Sequence, residues 1–223
     1  MIAIDGPAGS GKTTIAGLLA EYLGAIFLDT GLLYRAVTLL GLKRGIAPSD
    51  ESALVTLLES GILRLAPATL PNGEAVGVLL DDVDVSGQLR TPEIDRAVSA
   101  YSALPGVRVA LLPIQRSFAE KRRVIMVGRD IASVVFPSAG VRIYLDASLD
   151  ERARRRWREL QMGGTEVSLD QVRSDLARRD EIDSERAHSP LSIAAGSVVI
   201  QTDGKSIADV VTEVARVAEG AGA

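Results

Sequence analysis

The chain is predicted to adopt an α/β fold in which a parallel sheet is covered by crossover helices. Three observations predict it. Short apolar runs alternate with longer segments of helical period. A glycine-rich loop, Gly6-Pro7-Ala8-Gly9-Ser10-Gly11-Lys12-Thr13, follows the first apolar run directly and leads into a helical pattern. The 223 residues, 47% apolar and 24% charged, suffice for one α/β core with a smaller inserted unit.

Taken in order, the candidate core strands are Met1–Asp5, Ala25–Leu28, Val124–Val127, Arg142–Leu145 and Val198–Thr202. Each is short and rich in Ile, Val or Leu, as strands covered on both faces tend to be. Helix starts are marked between them. Ser148-Leu149-Asp150-Glu151 and Ser168-Leu169-Asp170-Gln171 have the form of capping boxes, and Thr91-Pro92 puts a capping hydroxyl before a proline at the first helical position. From about Gly61 to Gly87 the pattern changes. Ile62-Leu63-Arg64-Leu65 and Val76-Gly77-Val78-Leu79-Leu80 flank a Pro71-Asn72-Gly73 turn, which predicts an inserted antiparallel hairpin.

Composition excludes several functions. The chain has no cysteine, so disulfides, thiol nucleophiles and cysteine-ligated zinc are ruled out. A net charge of -4 argues against a nucleic-acid binder. No apolar run approaches the ~20 residues of a membrane span, and the N-terminus lacks a signal-peptide pattern, so a cytoplasmic monomer is the expectation.

The glycine loop matches G-x-x-x-x-G-K-[ST] in full. Its glycines allow several backbone N–H groups to converge on phosphate oxygens, and the helix from Thr14 points its positive dipole end at the same anion. Lys12 is placed to reach the terminal phosphates, and the Thr13 hydroxyl to ligate Mg²⁺. At or near other strand ends lie Asp29-Thr30-Gly31-Leu32-Leu33-Tyr34-Arg35 and Gly128-Arg129-Asp130, and a later helix carries Arg179-Asp180-Glu181-Ile182-Asp183-Ser184-Glu185-Arg186. Open parallel sheets bind ligands at such positions. Arg179, Asp183 and Arg186 share one helix face, a spacing that also serves a surface ion-pair ladder. Asp130 also has the chemistry of an N-cap, and Arg152, Arg155 and Arg156 that of a solvated basic face.

In this order and spacing, the GPAGSGKTT loop, DTGLLYRA, DVSGQLRTPE, GRDIASVVFPSA, DASLDERARRR and RRDEIDSERAHSPL resemble the cytidylate kinase family across nearly the entire chain. The resemblance implies the nucleoside monophosphate kinase fold: a P-loop NTPase-like, five-stranded parallel sheet with a monophosphate-binding insert and a lid. It implies a core at 1–36, 105–150 and 184–223, the insert at about 37–104, and the lid with flanking helices at about 151–183. The lid proper runs from about Glu151 to Leu169, with Gly163-Gly164 as its flexible joint. It further implies transfer of the γ-phosphoryl group of ATP to CMP or dCMP, with Mg²⁺. ATP is held by Gly6, Pro7, Ala8, Gly9, Ser10, Gly11, Lys12, Thr13 and Thr14, with Arg152, Arg155 and Arg156 closing on the donor phosphates. Arg35, Arg129 and Arg179 grip the acceptor phosphate. Ser99, Arg108 and Asp130 recognise cytosine, Asp183 and Arg186 contact the pentose, and Thr30 and Tyr34 line the pocket. Lys12, Arg129, Arg179 and Arg155 carry catalysis.

The chain departs from the family's usual pattern at Ala132-Ser133, Leu32-Leu33, Thr30 and Gln201-Thr202-Asp203, none of which is a proposed charged contact. Its one histidine, His188, is read as a surface residue. A monophosphate acceptor is already anionic near pH 7, with a second pKa of ~6, and requires no general base. Its transfer depends on positioning and cationic clamping. Two alternatives stay open on residues alone: another small P-loop kinase acting on UMP or a metabolite, and a nucleotide-dependent switch. An N/T-K-x-D guanine signature is lacking.

Overall fold

The computed structural model of the protein describes residues 1–70, 73–119, 123–186 and 188–221. The main sheet has five strands: β1 (Ile2–Asp5), β2 (Ile26–Asp29), β6 (Val124–Val127), β7 (Val141–Asp146) and β8 (Val198–Gln201). Their order is β2-β6-β1-β7-β8, and every pair is parallel. All five predicted strands are therefore present, displaced by at most one residue at an end. β1 is buried along its whole length, the closing Asp5 included. Because the pairs are parallel, Asp5, Asp29, the Gly128-Arg129-Asp130 loop and Asp146 all emerge on the same edge.

Helices α1 (Lys12–Leu23) and α8 (Ile207–Gly220) cover one face through Ile15, Leu19, Val210 and Val214. The second sheet consists of β3 (Leu63–Leu70), β4 (Gly73–Leu80) and β5 (Val83–Asp84), all antiparallel. This is the predicted hairpin with a short third strand; Pro71 and Asn72 of its expected turn lie outside the described residues. It shares an apolar core with α2 (Gly31–Arg44), α3 (Glu51–Glu59), α4 (Pro92–Ser102) and α5 (Pro105–Ala119), centred on Leu33, Leu40, Leu54, Val78 and Leu111. Where α2 crosses α4, Gly41 leaves room for the Tyr101 ring, whose hydroxyl donates to the Ile46 carbonyl at 2.8 Å. α4 and α5 together are long and apolar, but they are bent by 100° and pack into this core; no single helix among the described residues is long and apolar enough to cross a membrane.

Two helices, α6 (Leu149–Met162) and α7 (Leu169–Glu185), form an arm above the sheet edge. Their small core of Ala153, Val172 and Leu176 includes Ala8 of the glycine loop, so the arm is packed directly onto that loop. Ser148 and Ser168 accept from the Glu151 and Gln171 amides, as N-caps should. The reciprocal half of the expected box is absent at Ser168, and also at Ser148. The Ser148 amide donates to the Asp203 carboxylate, and Glu151 turns to Arg154 and Arg155. The fully reciprocal box lies at Ser206 and Asp209, starting α8.

Candidate active site

The loop leaves β1 at Gly6, with φ +146°, where a Cβ would collide with the Leu145 carbonyl oxygen of β7. Only glycine allows so close a passage. Gly11, at φ +92°, then turns the chain into α1. Lys12 is folded beneath its own loop: Nζ donates to the Pro7 carbonyl at 2.6 Å and to Ser10 Oγ at 3.3 Å. Burial, and then the nearby Arg129, hold its ammonium well below the usual lysine range, against the pull of Asp29 and Asp5. Thr13 Oγ1 donates to Asp29 at 3.2 Å. Ser10, Pro7 and Ala8 are buried, while Gly9, Thr13 and Thr14 face outward.

Across the sheet edge the predicted arginines gather. Arg129 donates from Nη1 to the Gly6 carbonyl at 3.1 Å and from Nε to Asp183 at 2.8 Å, joining the glycine loop to α7. Asp183 also meets Arg186 Nη1 at 3.4 Å, and Arg186 Nε donates to the Ser189 carbonyl at 2.7 Å. Asp183 is 4% exposed, so the shared face of Arg179, Asp183 and Arg186 points inward and is not a surface ion-pair ladder. Burial alone would raise the Asp183 carboxyl, but Arg129, Arg179 and Arg186 outweigh it and hold it below the usual range. Arg35 pairs with Asp95 at 2.6 Å and donates to the Leu89 carbonyl at 3.0 Å. Arg179 has no ion-pair partner among the described residues. Burial, and then Arg129, push its guanidinium down to about 10.

A second buried charged group lies beside this cluster. Arg108 and Asp130 form a buried pair at 2.5 Å, each side chain 6% exposed. Arg108 Nη1 also donates to the Ser102 carbonyl at 3.0 Å, and its guanidinium stands 5.0 Å from the centre of the Tyr34 ring. Burial pushes the Tyr34 phenol up. Thr30 Oγ1 donates to the Val127 carbonyl at 2.9 Å, and Ser99 sits partly buried on α4. Arg108 Nε, Arg186 Nη2 and Gln115 Oε1 are buried without hydrogen-bond partners.

The N-cap alternative for Asp130 is overturned. The next element is a single π turn, Ile131–Val135, and Asp130 makes no side-chain cap bond to it. Asp5 takes that place: its two oxygens accept from the Ile131 and Ala132 amides at 2.8 Å each. Asp130 is thereby left to face Arg108.

The three arginines of α6 diverge to different partners. Arg152, 6% exposed, donates to the carbonyls of Ala147 at 2.9 Å and Ala8 at 3.2 Å and pairs with Asp180 at 2.6 Å, bracing the glycine loop from behind. Arg155 donates to the Thr202 hydroxyl at 3.0 Å and carbonyl at 2.6 Å and pairs with Glu151 at 2.9 Å, beside Gly11. Arg156 reaches Asp95 of α4 at 2.8 Å and Glu159 at 3.1 Å. The basic face of α6 is thus ion-paired rather than merely solvated. His188 is exposed, as expected.

Sequence reasoning passed over Asp5, Asp29, Asp95, Gln115 and Asp180. Asp5 and Asp29 had a usable signal, since each is an acid closing a core strand beside a ligand-binding edge. Asp95 and Asp180 acquire their partners only through long-range packing, and nothing local marks Gln115.

The sequence model of the cytidylate kinase family matches residues 2–220. The chain is 44% identical over 212 residues to the cytidylate kinase of Carboxydothermus hydrogenoformans, covering 95% of this chain and 94% of that one. It is 43% identical over 213 residues to the cytidylate kinase of Desulfitobacterium hafniense, with 96% and 90% covered. With the bifunctional pantoate ligase/cytidylate kinase of Trichormus variabilis it shares 46% identity over 215 residues, 96% of this chain and 40% of the longer relative. Two relatives matched over nine-tenths or more of their length, and a family model spanning both the loop and the arginine cluster, lead to one conclusion: this chain belongs to the cytidylate kinase family.

Proposed function

We propose that the chain transfers the γ-phosphoryl group of ATP to CMP or dCMP, giving ADP and CDP or dCDP, across the cationic face formed by Lys12, Arg35, Arg129 and Arg179. Cytidylate kinase activity, a phosphotransferase activity, follows from the family. The observation that carries the assignment of residues is Arg179. It is a guanidinium held at about 10 by burial and by Arg129, without an ion-pair partner among the described residues, close to a glycine-loop lysine. A phosphate dianion relieves that repulsion, which Asp183 and Asp95 offset only in part.

In this scheme residues 6–14 cradle the donor phosphates, with Lys12 swinging from the Pro7 carbonyl to the transferring group. Arg129 is the central clamp, because it contacts both the loop and Asp183. Arg35 and Arg179 complete the acceptor-phosphate site. The acceptor oxygen is already ionised near pH 7, its second pKa being ~6. The side chains therefore neutralise charge and align the groups in line rather than removing a proton. Arg108, Asp130 and Ser99 read the cytosine edge. Arg108 offers a buried donor, Nε, without a partner, and a polar base edge satisfies such a group. Asp183 and Arg186 contact the pentose, with Thr30 and Tyr34 as walls. Residues 37–104 serve as the monophosphate-binding insert and the α6–α7 arm as the lid. Arg155 and Arg156 are the lid groups that turn toward the donor, while Arg152 supports the loop beneath it.

The residues fit a magnesium ion. Thr13 and Asp29 bring two hard oxygen groups together at the donor loop. Magnesium sites at nucleotides take one or two protein oxygens and complete their shell with nucleotide oxygens and water. Bound there, Mg²⁺ would neutralise charge on the donor oxygens.

A coupled assay tests the scheme by offering ATP with CMP, dCMP, UMP, AMP or no acceptor. Rapid ADP release is expected with CMP or dCMP. Equal release with AMP, or release without acceptor, would refute it.

A further inference from the structure

Asp95 stands where two substrate-directed elements meet. It lies on α4, and its carboxylate is divided between two guanidinium groups of different origin. Oδ1 takes Arg35 Nη2 of α2 at 2.6 Å, and Oδ2 takes Arg156 Nη2 of α6 at 2.8 Å. Arg35 is fixed from its other branch by the Leu89 carbonyl at 3.0 Å, so its partner set lies entirely in the insert. Arg156 holds Glu159 of its own helix at 3.1 Å. Asp95 is therefore a direct ionic tie from the insert to the arm.

We propose that Asp95 is a positioning residue that clasps the lid to the acceptor insert, holding the arm closed by a carboxylate placed between Arg35 and Arg156. It acquires this role only if Arg35 serves the acceptor phosphate, as proposed above.

The electrostatic logic follows from the neighbours. Two arginines and one aspartate leave the trio with a surplus positive charge, and Arg179 lies within electrostatic reach of both Arg35 and Asp95. Without the aspartate, Arg35 faces Arg179 with no paired carboxylate of its own, and Arg156 keeps only Glu159 of its own helix, so nothing among the described residues ties it to the insert. Like charges at such separations repel by amounts comparable to the weak packing that holds a lid. An acceptor phosphate supplies negative charge on the same side and does the same work as the carboxylate. The clasp thus keeps the arm near its working position before substrate arrives. Acceptor binding then strengthens a closure that already exists, which reduces the cost of reaching the bound conformation.

The test uses the full chain. Because the protein has no cysteine, two can be introduced for distance labels without background. Met162→Cys at the end of α6, 82% exposed, and Val83→Cys on β5, 60% exposed, report the separation of arm and insert. Without ligand, the labelled wild-type background should give a single short distance. Asp95→Asn should lengthen and broaden it, and CMP should return it to the short value. Asp95→Glu, which keeps the charge, should restore the short distance without ligand. In steady-state assays Asp95→Asn should raise the KM for CMP by roughly threefold to tenfold while kcat and the KM for ATP change less than about twofold. An unchanged distance in ligand-free Asp95→Asn overturns the clasp, as does a lengthened distance that CMP fails to shorten. Turnover of CMP by the unlabelled wild-type protein reads the kinase assignment separately, so a failed clasp and a failed assignment are told apart.

Discussion

Asp5 allows a quantitative prediction, because its burial and its hydrogen bonds act in opposite directions. The side chain is 2% exposed, and both oxygens accept backbone amides at 2.8 Å. Those bonds favour the ionised form, yet burial outweighs them, with Asp130 adding repulsion, and the carboxyl is pushed up from 3.8 to about 6. A folded-state pKa above the unfolded value means that this group's contribution to stability is fully present below about pH 4 and is lost as pH rises through 6. A shift of about two units corresponds to about 3 kcal/mol over the whole range, of which about 2 kcal/mol falls between pH 4.5 and 7.

Asp5→Asn removes the titration. It keeps one acceptor and turns an NH₂ toward the other amide, leaving that N–H unpaired at a cost of about 1–3 kcal/mol. The variant should therefore be clearly less stable than wild type at pH 4.5, and close to wild type or above it at pH 7. Urea unfolding at pH 4.5, 5.5, 6.5 and 7.5 measures the difference directly. The gap between the two proteins should move in the variant's favour by about 2 kcal/mol across the series. Stability curves that stay parallel would refute the account of a buried, strained carboxylate.

Two further predictions concern the transfer itself. Lys12→Ala should lower turnover at saturating substrates by roughly 10²–10³-fold, the scale of losing one preorganised charge contact to the transferring group; a loss below about tenfold in a steady-state assay would exclude that role. Arg129→Ala removes the bonds to the Gly6 carbonyl and Asp183. It should raise the KM for CMP by roughly 10²-fold and that for ATP far less, and a defect confined to ATP would contradict its place on the acceptor side.

Much of the molecule is legible in its residues alone. The central strands β1 and β6 are readable because strands buried on both faces are built of apolar residues, a local pattern, whereas the edge strand β8 is apolar yet largely exposed. The glycine loop is readable because its backbone geometry admits few residues, as the contact between Gly6 and the Leu145 carbonyl demonstrates. That Arg179, Asp183 and Arg186 share one face follows from helical period, but that the face turns inward shows only in the burial of Asp183. Asp130 and Ser148 are harder, since each has the chemistry of a local cap. A distant carboxylate intervenes at each: Asp5 replaces Asp130 as the cap of the following turn, while Ser148 keeps its cap but gives its own amide to Asp203. Arg152 and Arg155 lie near the loop while Arg156 reaches Asp95, and nothing in their spacing distinguishes the brace on Ala8 from the contacts at Thr202 and Asp95.

The sequence alone thus determined the sheet, the phosphate loop, the inserted hairpin and the family, because each is written in short-range patterns of residue type. Tertiary structure decided how the charges are paired. Asp5 reaches residues more than a hundred positions away, and Asp95 joins α2 to α6 only because their helices converge over one sheet edge. Spacing along a helix fixes which way a side chain faces; only the packing of whole elements fixes what it meets.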